Sequence, residues 1–355
     1  MSRIFVSPTK YIQGENEILN LGKYILEFGN KVFVVVSKED LERIEISIKK
    51  SIENMKIELI YIEKLENCTK KEMEKLGEIV LKNNCDLVVG IGGGKALDIS
   101  KAVSYFAKKP IIIFPTIAST DAPCSSLTAL YKDTGEFQEY LFLKNNPNLV
   151  VVDSSIIAKA PTRFLISGIG DALSTFFEAR ACIKFNVKNM FGMFGTNMAF
   201  AIAETCYKTL LENSFDAIES SNKNIVTPAL ENIIEANILM SGLGFENIGL
   251  AIAHAVHNGL TIFKETNYYT HGEKVAFGVI VQLILENDLL ELEKILKFYK
   301  KIGLPTSLNQ LGLNNIDKQK LMEVSKSIKE NISVKNMFFN VEEEDIYNAL
   351  YKLIL

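Results

Sequence analysis

An α/β N-terminal domain with a parallel sheet, followed by an all-α C-terminal domain, is the fold class this sequence predicts. In the first half, short runs of Val, Ile and Phe alternate with helical stretches of ten or more residues, the pattern of a doubly wound sheet. After Pro161 strand signals are scarce and helical periodicity takes over. The length, 355 residues at 48% hydrophobic content, supplies two cores rather than one. We therefore place domains at 1–160 and 161–355, and expect a ligand cleft between them.

Taken in order, "KVFVVVS" (31–37) reads as a strand buried on both faces, because a dense Val/Phe run suits a covered sheet. "DLERIEISIKKSIENM" follows with helical spacing. Then come strand "IELIYIE", helix "KKEMEKLGEIVLKNN", strand "CDLVVGIGGG", helix "KALDISKAVSYFAKK", strand "PIIIFPT" and, later, strand "NLVVVD". Beyond Pro161, "DALSTFFEARACI", "MFGTNMAFAIAETCYKTLLEN", "PALENIIEANILMSGLGF", "AIAHAVHNGL" and "GEKVAFGVIVQLILENDLLELEKILKFYKKIG" all carry helical periodicity.

Composition excludes several classes. With 39 basic and 43 acidic residues the net charge is -4, which offers no field for nucleic acid or an anionic membrane. No stretch reaches the roughly 18 to 20 apolar residues that span a bilayer. The N-terminus lacks the pattern of a signal peptide. Five cysteines, an odd number without a CxxC pair, fit a reducing compartment. The expectation is a cytoplasmic protein.

The segment "DLVVGIGGGKALDISKA" (86–102) is strand, glycine turn, helix. Glycines allow close backbone approach, and a helix start favours a phosphate. GxGxxG fails because Lys95 stands where the third glycine belongs, and Walker A fails because Ala96 follows that lysine. A turn without a ligand is the alternative. The next strand leads into a hydroxyl-rich loop, "FPTIASTDAPCSSLTALYKDTGEF" (114–137), on the same carboxyl edge of the sheet, where α/β folds bind ligands.

All three histidines, His254, His257 and His271, lie within 18 residues, a placement with a chance of roughly one in a hundred. His254 and His257 share a helix face. "THGE" (270–273) reads as a capping box, which puts His271 in a first helical turn, where a neutral, metal-bound imidazole is better tolerated than a cation. Catalytic zinc usually takes three protein ligands and keeps one open position. Asp171, in "SGIGDALSTFFEARAC", is a carboxylate that could complete the set, or a plain helix cap.

Together, "GGGKALD", "PTIASTDAPCSSL", "GIGDAL", "GLGFENIGLAIAHAVHNG" and "THGEKVAFG" resemble the glycerol-dehydrogenase branch of the metal-dependent (iron-containing, type III) alcohol dehydrogenase superfamily, in order over nearly the whole chain. The resemblance implies zinc, with Fe²⁺ as the alternative, held by Asp171, His254 and His271. It implies NAD against Gly93, Gly94, Lys95, Asp98, Thr116, Ser119, Ser125, Leu127 and Tyr131. Asp121 matches a substrate-contacting aspartate, Phe245 borders the same pocket with Asp171 and His254, and His257 is a candidate proton relay. It further implies a small polyol as substrate and a homo-oligomer, an octamer by the family's habit.

One departure stands out. The family usually carries an acid at the end of the strand "KVFVVV", where it reads the adenosine ribose and repels a 2′-phosphate. Here Ser37 occupies that place, followed by Lys38, so NADP stays open beside NAD, with Glu39 and Asp40 as nearby acids. The expected activity is oxidation of glycerol or a related vicinal diol to dihydroxyacetone by hydride transfer. The alternatives are enzymes resembling sn-glycerol-1-phosphate dehydrogenase or 3-dehydroquinate synthase, or a non-catalytic relative that binds nucleotide or metal.

Overall fold

The computed structural model describes residues 2–62, 68–132, 137–314 and 316–354. The chain begins with β1 (Lys10–Gly14), α1 (Leu21–Ile25), β2 (Lys31–Val36), α2 (Lys38–Ser51), β3 (Glu58–Ile62), α3 (Lys70–Lys82), β4 (Leu87–Gly92), α4 (Gly94–Ala107) and β5 (Ile111–Pro115). A hairpin, β6 (Leu127–Tyr131) and β7 (Phe137–Phe142), precedes β8 (Leu149–Asp153) and α5 (Ser154–Ala158). Helices then follow without further strands: α6 (Thr162–Phe185), α7 (Asn197–Asn222), α8 (Pro228–Glu235), α9 (Ser241–Ile248), α10 (Ile252–Leu260), α11 (His271–Leu285), α12 (Leu289–Ile302), α13 (Lys318–Glu330) and α14 (Glu343–Tyr351). One π-helical turn, Ala236–Met240, joins α8 to α9.

The six-stranded sheet runs β1-β8-β5-β4-β2-β3, and every pairing is parallel. From β2 the chain moves outward to β3, then returns to β4 on the other side of β2. The strand order therefore reverses between the carboxyl ends of β2 and β4, the place where such sheets open a crevice for ligands. The central strands β2, β4, β5 and β8 are apolar and almost wholly buried, as a sheet covered on both faces requires.

Three strands are not marked by the sequence pattern. "KYIQG" forms β1 at the sheet edge, where its alternation is too weak to mark a strand without β8 beside it. The polar segment 114–137 is not loop throughout, because Leu127–Tyr131 forms β6, which pairs antiparallel with β7. The helical part packs in two ways. One apolar cluster joins Ile111, Ile113, Val150 and Val152 of the sheet to residues of α6, α7, α11 and α12, so sheet and helices are packed against one another. A second cluster lies among α10, α11, α13 and α14. No single helix among the described residues is long and apolar enough to cross a membrane.

Candidate metal centre and cofactor cleft

Asp171 sits on α6, His254 on α10 and His271 at the first position of α11. Backbone contact brings α6 and α11 close enough for the first and last of these to meet. A Cβ on Gly272 would lie 1.8 Å from the Ser167 carbonyl oxygen, and one on Gly170 would lie 2.7 Å from the Gly272 carbonyl oxygen. Only residues without side chains allow this crossing. The glycines adjoin Asp171 and His271, so the crossing delivers both side chains to one point. α10 joins in the same way, since a Cβ on Gly278 would lie 2.2 Å from the Ala253 carbonyl oxygen.

The result is a buried Asp171 whose Oδ1 lies 3.1 Å from His271 Nε2 and 3.7 Å from His254 Nε2. Neither carboxylate oxygen has a hydrogen-bond partner. The outer hydrogen bonds explain what the two ring nitrogens present. His254 Nδ1 lies 2.7 Å from Glu178 Oε2, and a carboxylate accepts, so the ring hydrogen is on Nδ1 and Nε2 presents a lone pair. Asn258 Oδ1 accepts from His257 Nδ1 at 3.0 Å, which leaves His257 Nε2 to accept from His271 Nδ1 at 3.1 Å. His271 Nε2 is then also a lone pair. Three acceptors face one another, an arrangement that repels unless a cation lies among them. The ligating atoms of these three residues fall within 4.8 Å of one another. Two imidazoles and a carboxylate are a donor set that suits zinc with an open position, and also ferrous iron.

In the metal-free protein a proton takes the place of that cation. Burial alone would raise the Asp171 carboxyl, yet the imidazoles of His271 and His254 hold it below the ordinary carboxylate range. Burial pulls His254 down, but Glu178, Asp171 and Asp121 outweigh it and push the imidazole up to about 9 in the metal-free protein. A proton there stands where a metal would bind. Burial, then His271 and Lys274, push His257 well below the usual imidazole range, which keeps it neutral. His257 therefore supports His271 from behind.

Asp121 belongs to the same region. It is buried, its Oδ2 accepts from Ser241 Oγ at 2.7 Å, and burial followed by the charge of Asp171 raises its carboxyl to about 8. Phe245 is buried on α9, one helical turn beyond Ser241.

The glycine turn lies between β4 and α4. Gly93 caps α4 without a side-chain bond, leaving the first N–H groups of the helix free for an anion. Gly92 holds φ +142, a value glycine tolerates, and a Cβ on Gly94 would meet nothing within 4 Å. Lys95 is exposed, and Asp98 lies one turn further along α4. Burial raises the Asp98 carboxyl, opposed in part by Lys101, Thr128 and His271, so this turn lies within electrostatic reach of the metal centre. Thr116 donates its backbone N–H to the Gly92 carbonyl at 3.1 Å. Ser119 accepts through its carbonyl from Ser167 Oγ at 3.2 Å. The side chain of Tyr131 lies outside the described residues.

Sequence reasoning missed the groups that hold the second loop. Lys101 is wholly buried, and its ammonium donates to the Ala122 carbonyl, to Ser125 Oγ at 3.1 Å and to the Leu127 carbonyl at 3.1 Å, one acceptor for each hydrogen. The Ser125 hydroxyl is thereby engaged within the loop. Glu246 accepts from the Ser126 N–H and hydroxyl and from Asn146. Asn237, in the π-helical turn, donates to the Ala118 and Leu165 carbonyls at 3.0 and 3.2 Å. No local motif announces these contacts, whose partners lie 21 to 120 residues away.

Ser37 has a local role. It directly follows the strand, which stops at Val36. It caps α2, accepting from the Asp40 N–H at 3.1 Å and donating to Asp40 Oδ2 at 2.9 Å. The acid beside the glycine turn is Asp40: its Oδ2 lies 3.0 Å from where a Gly92 Cβ would be.

The glycine crossing predicts a selective sensitivity. Gly272→Ala must separate α11 from α6, so it should destabilise the metal-free protein by about 2 kcal/mol or more. Thermal unfolding against wild type measures this, and an unchanged midpoint would contradict the tight crossing.

A family model for iron-containing alcohol dehydrogenase matches residues 8–154. The glycerol dehydrogenase of Thermotoga maritima is 44% identical over 348 residues, covering 97% of this chain and 95% of that protein. That of Escherichia coli is 44% identical over 352 residues, covering 99% and 96%. The crystal structure of a probable glycerol dehydrogenase from Sinorhizobium meliloti superposes with a TM-score of 0.92 at 38% identity, covering 99% of this chain and 98% of that one. Near-complete matches of this kind, over a sheet and a donor set that fit, establish that the chain belongs to the iron-containing alcohol dehydrogenase family.

Proposed function

We propose that the chain oxidises glycerol, or a related vicinal diol, using NAD as hydride acceptor and Zn²⁺ as resident metal; with glycerol the product is dihydroxyacetone. The observation that carries this reading is the convergence of the unpartnered Asp171 carboxylate with the Nε2 lone pairs of His254 and His271. Relatives named glycerol dehydrogenase at 44% identity over nearly the full chain support the substrate class. When bound, zinc supplies Lewis acidity of the kind that lowers the pKa of water from near 16 to about 7, and NAD accepts the hydride.

The chain's own residues supply the rest. Asp171, His254 and His271 would hold the metal. Asp121, fixed by Ser241, would exchange a hydrogen bond with a second hydroxyl of the polyol, which favours a diol over a monoalcohol. Gly93 and the open face at Gly94 leave room for a pyrophosphate at the start of α4. Asp40, at the strand-order reversal between β2 and β4, is placed to accept from the adenosine ribose and to repel a 2′-phosphate. That placement supports NAD over NADP.

The direct test is steady-state oxidation of glycerol, propane-1,2-diol and glycerol 1-phosphate, each with NAD and NADP, on protein stripped by a chelator and reloaded with Zn²⁺ or Fe²⁺. Turnover of both diols with NAD, lost on stripping and restored by zinc, is expected. Turnover of glycerol 1-phosphate alone, or full activity after exhaustive chelation, would contradict the reading, and restoration by Fe²⁺ alone would reassign the metal.

Two substitutions probe the cofactor. Gly94→Val adds atoms to open space, so the protein should fold as wild type yet lose NADH binding by calorimetry; equal affinity would remove the glycine turn from the cofactor site. Asp40→Asn should move the NADH-to-NADPH affinity ratio toward NADPH by about ten- to a hundredfold, the value of one charge-assisted hydrogen bond at roughly 1.5 to 3 kcal/mol. A ratio that moves less than about threefold, roughly 0.6 kcal/mol, would show that Asp40 does not face the ribose.

A further inference from the structure

We infer that Glu178 is the positioning residue that makes His254 a metal ligand, by fixing its tautomer and ring orientation while also capping the helix that carries it. The inference rests on the proposed metal centre. Glu178 lies on α6 seven residues beyond Asp171, so one helix carries both a ligand and the carboxylate behind a second ligand. It is wholly buried. Its Oε2 lies 2.7 Å from His254 Nδ1, and its Oε1 accepts the backbone N–H groups of Ala251 at 2.8 Å and His254 at 3.0 Å. These N–H groups open α10, whose N-cap Ala251 has no side-chain acceptor of its own. Glu178 substitutes for the missing cap from another helix.

The two tasks are separable. Capping needs only an oxygen toward the helix start. Fixing the tautomer needs a group toward Nδ1 that accepts and never donates. Glutamate meets both needs; glutamine meets one at a time. With its oxygen on the N–H groups, the glutamine amide would donate to Nδ1. The ring hydrogen must then move to Nε2, where it points at Asp171 instead of leaving a lone pair. A purely structural role would leave zinc affinity untouched by that exchange, whereas a positioning role would not.

The test measures Zn²⁺ affinity by competition with a chromophoric chelator, together with the unfolding midpoint of the metal-free protein. Wild type, Glu178→Gln and Asp171→Asn are compared. Glu178→Gln should bind zinc about 10- to 100-fold more weakly while unfolding near the wild-type midpoint, the range typical for carboxylates behind ligating histidines. Zinc affinity equal to wild type would overturn the inference. Should Glu178→Gln fail to fold, Glu178→Asp takes its place. Its shorter carboxylate cannot reach both the helix start and the ring, so the same weakening is expected, and wild-type affinity would again overturn the role. Asp171→Asn separates the two ways of failing. Undiminished zinc binding there removes the metal centre itself, whereas loss there with full binding in Glu178→Gln removes only the role of Glu178.

Discussion

A carboxylate buried without a hydrogen bond is the constraint around which this molecule is organised. Desolvating such a group costs several kcal/mol unless a positive charge meets it. Asp171 is in this position, with the Nε2 atoms of two imidazoles for neighbours. Three helices are brought to it by crossings so close that Gly272 and Gly278 leave no room for a Cβ. The arrangement is costly as a set of contacts and economical as a set of ligands. The same helices bury the apolar side chains that stabilise the fold, so the site draws on a core that would form anyway.

The cofactor side of the cleft obeys a different rule. There the sheet topology places the glycine turn, and the free N–H groups of α4 mark where negative charge is welcome. Between the two sides runs the segment from Thr116 to Ser126, which carries Asp121. It is fastened on one side by Lys101 of α4 and on the other by Asn237, Ser241 and Glu246 of the helical part. The Asp121 carboxyl is thus referenced to both halves at once. Alignment of a hydride donor carbon with an acceptor ring depends on that kind of shared anchor.

Much of this was legible in the sequence. Alternating apolar runs and helical stretches gave the doubly wound half, and the capping box at Thr270 did place His271 at the start of a helix, with both reciprocal bonds present. The three histidines marked the site because histidine is scarce in this chain. Asp171 was ambiguous, since a helix cap and a metal ligand look alike in one dimension; in the fold it lies deep inside α6, nine residues past the first helical position, and caps nothing. At Ser37 a strand terminus and a helix cap are adjacent positions, and the hydrogen bonds with Asp40 show the cap. Glu178, Lys101 and Glu246 were invisible for a common reason. Each is a charged residue on a helix, ordinarily a surface choice, and becomes informative only when its burial and distant partners are known.

The composition of the metal's inner shell tests the central claim most directly. X-ray absorption at the zinc edge of the reloaded protein should show nitrogen and oxygen scatterers at about 2.0 to 2.2 Å, with outer-shell scattering from two imidazoles. Sulfur at about 2.3 Å, or fewer than two imidazoles, would contradict a centre built from Asp171, His254 and His271.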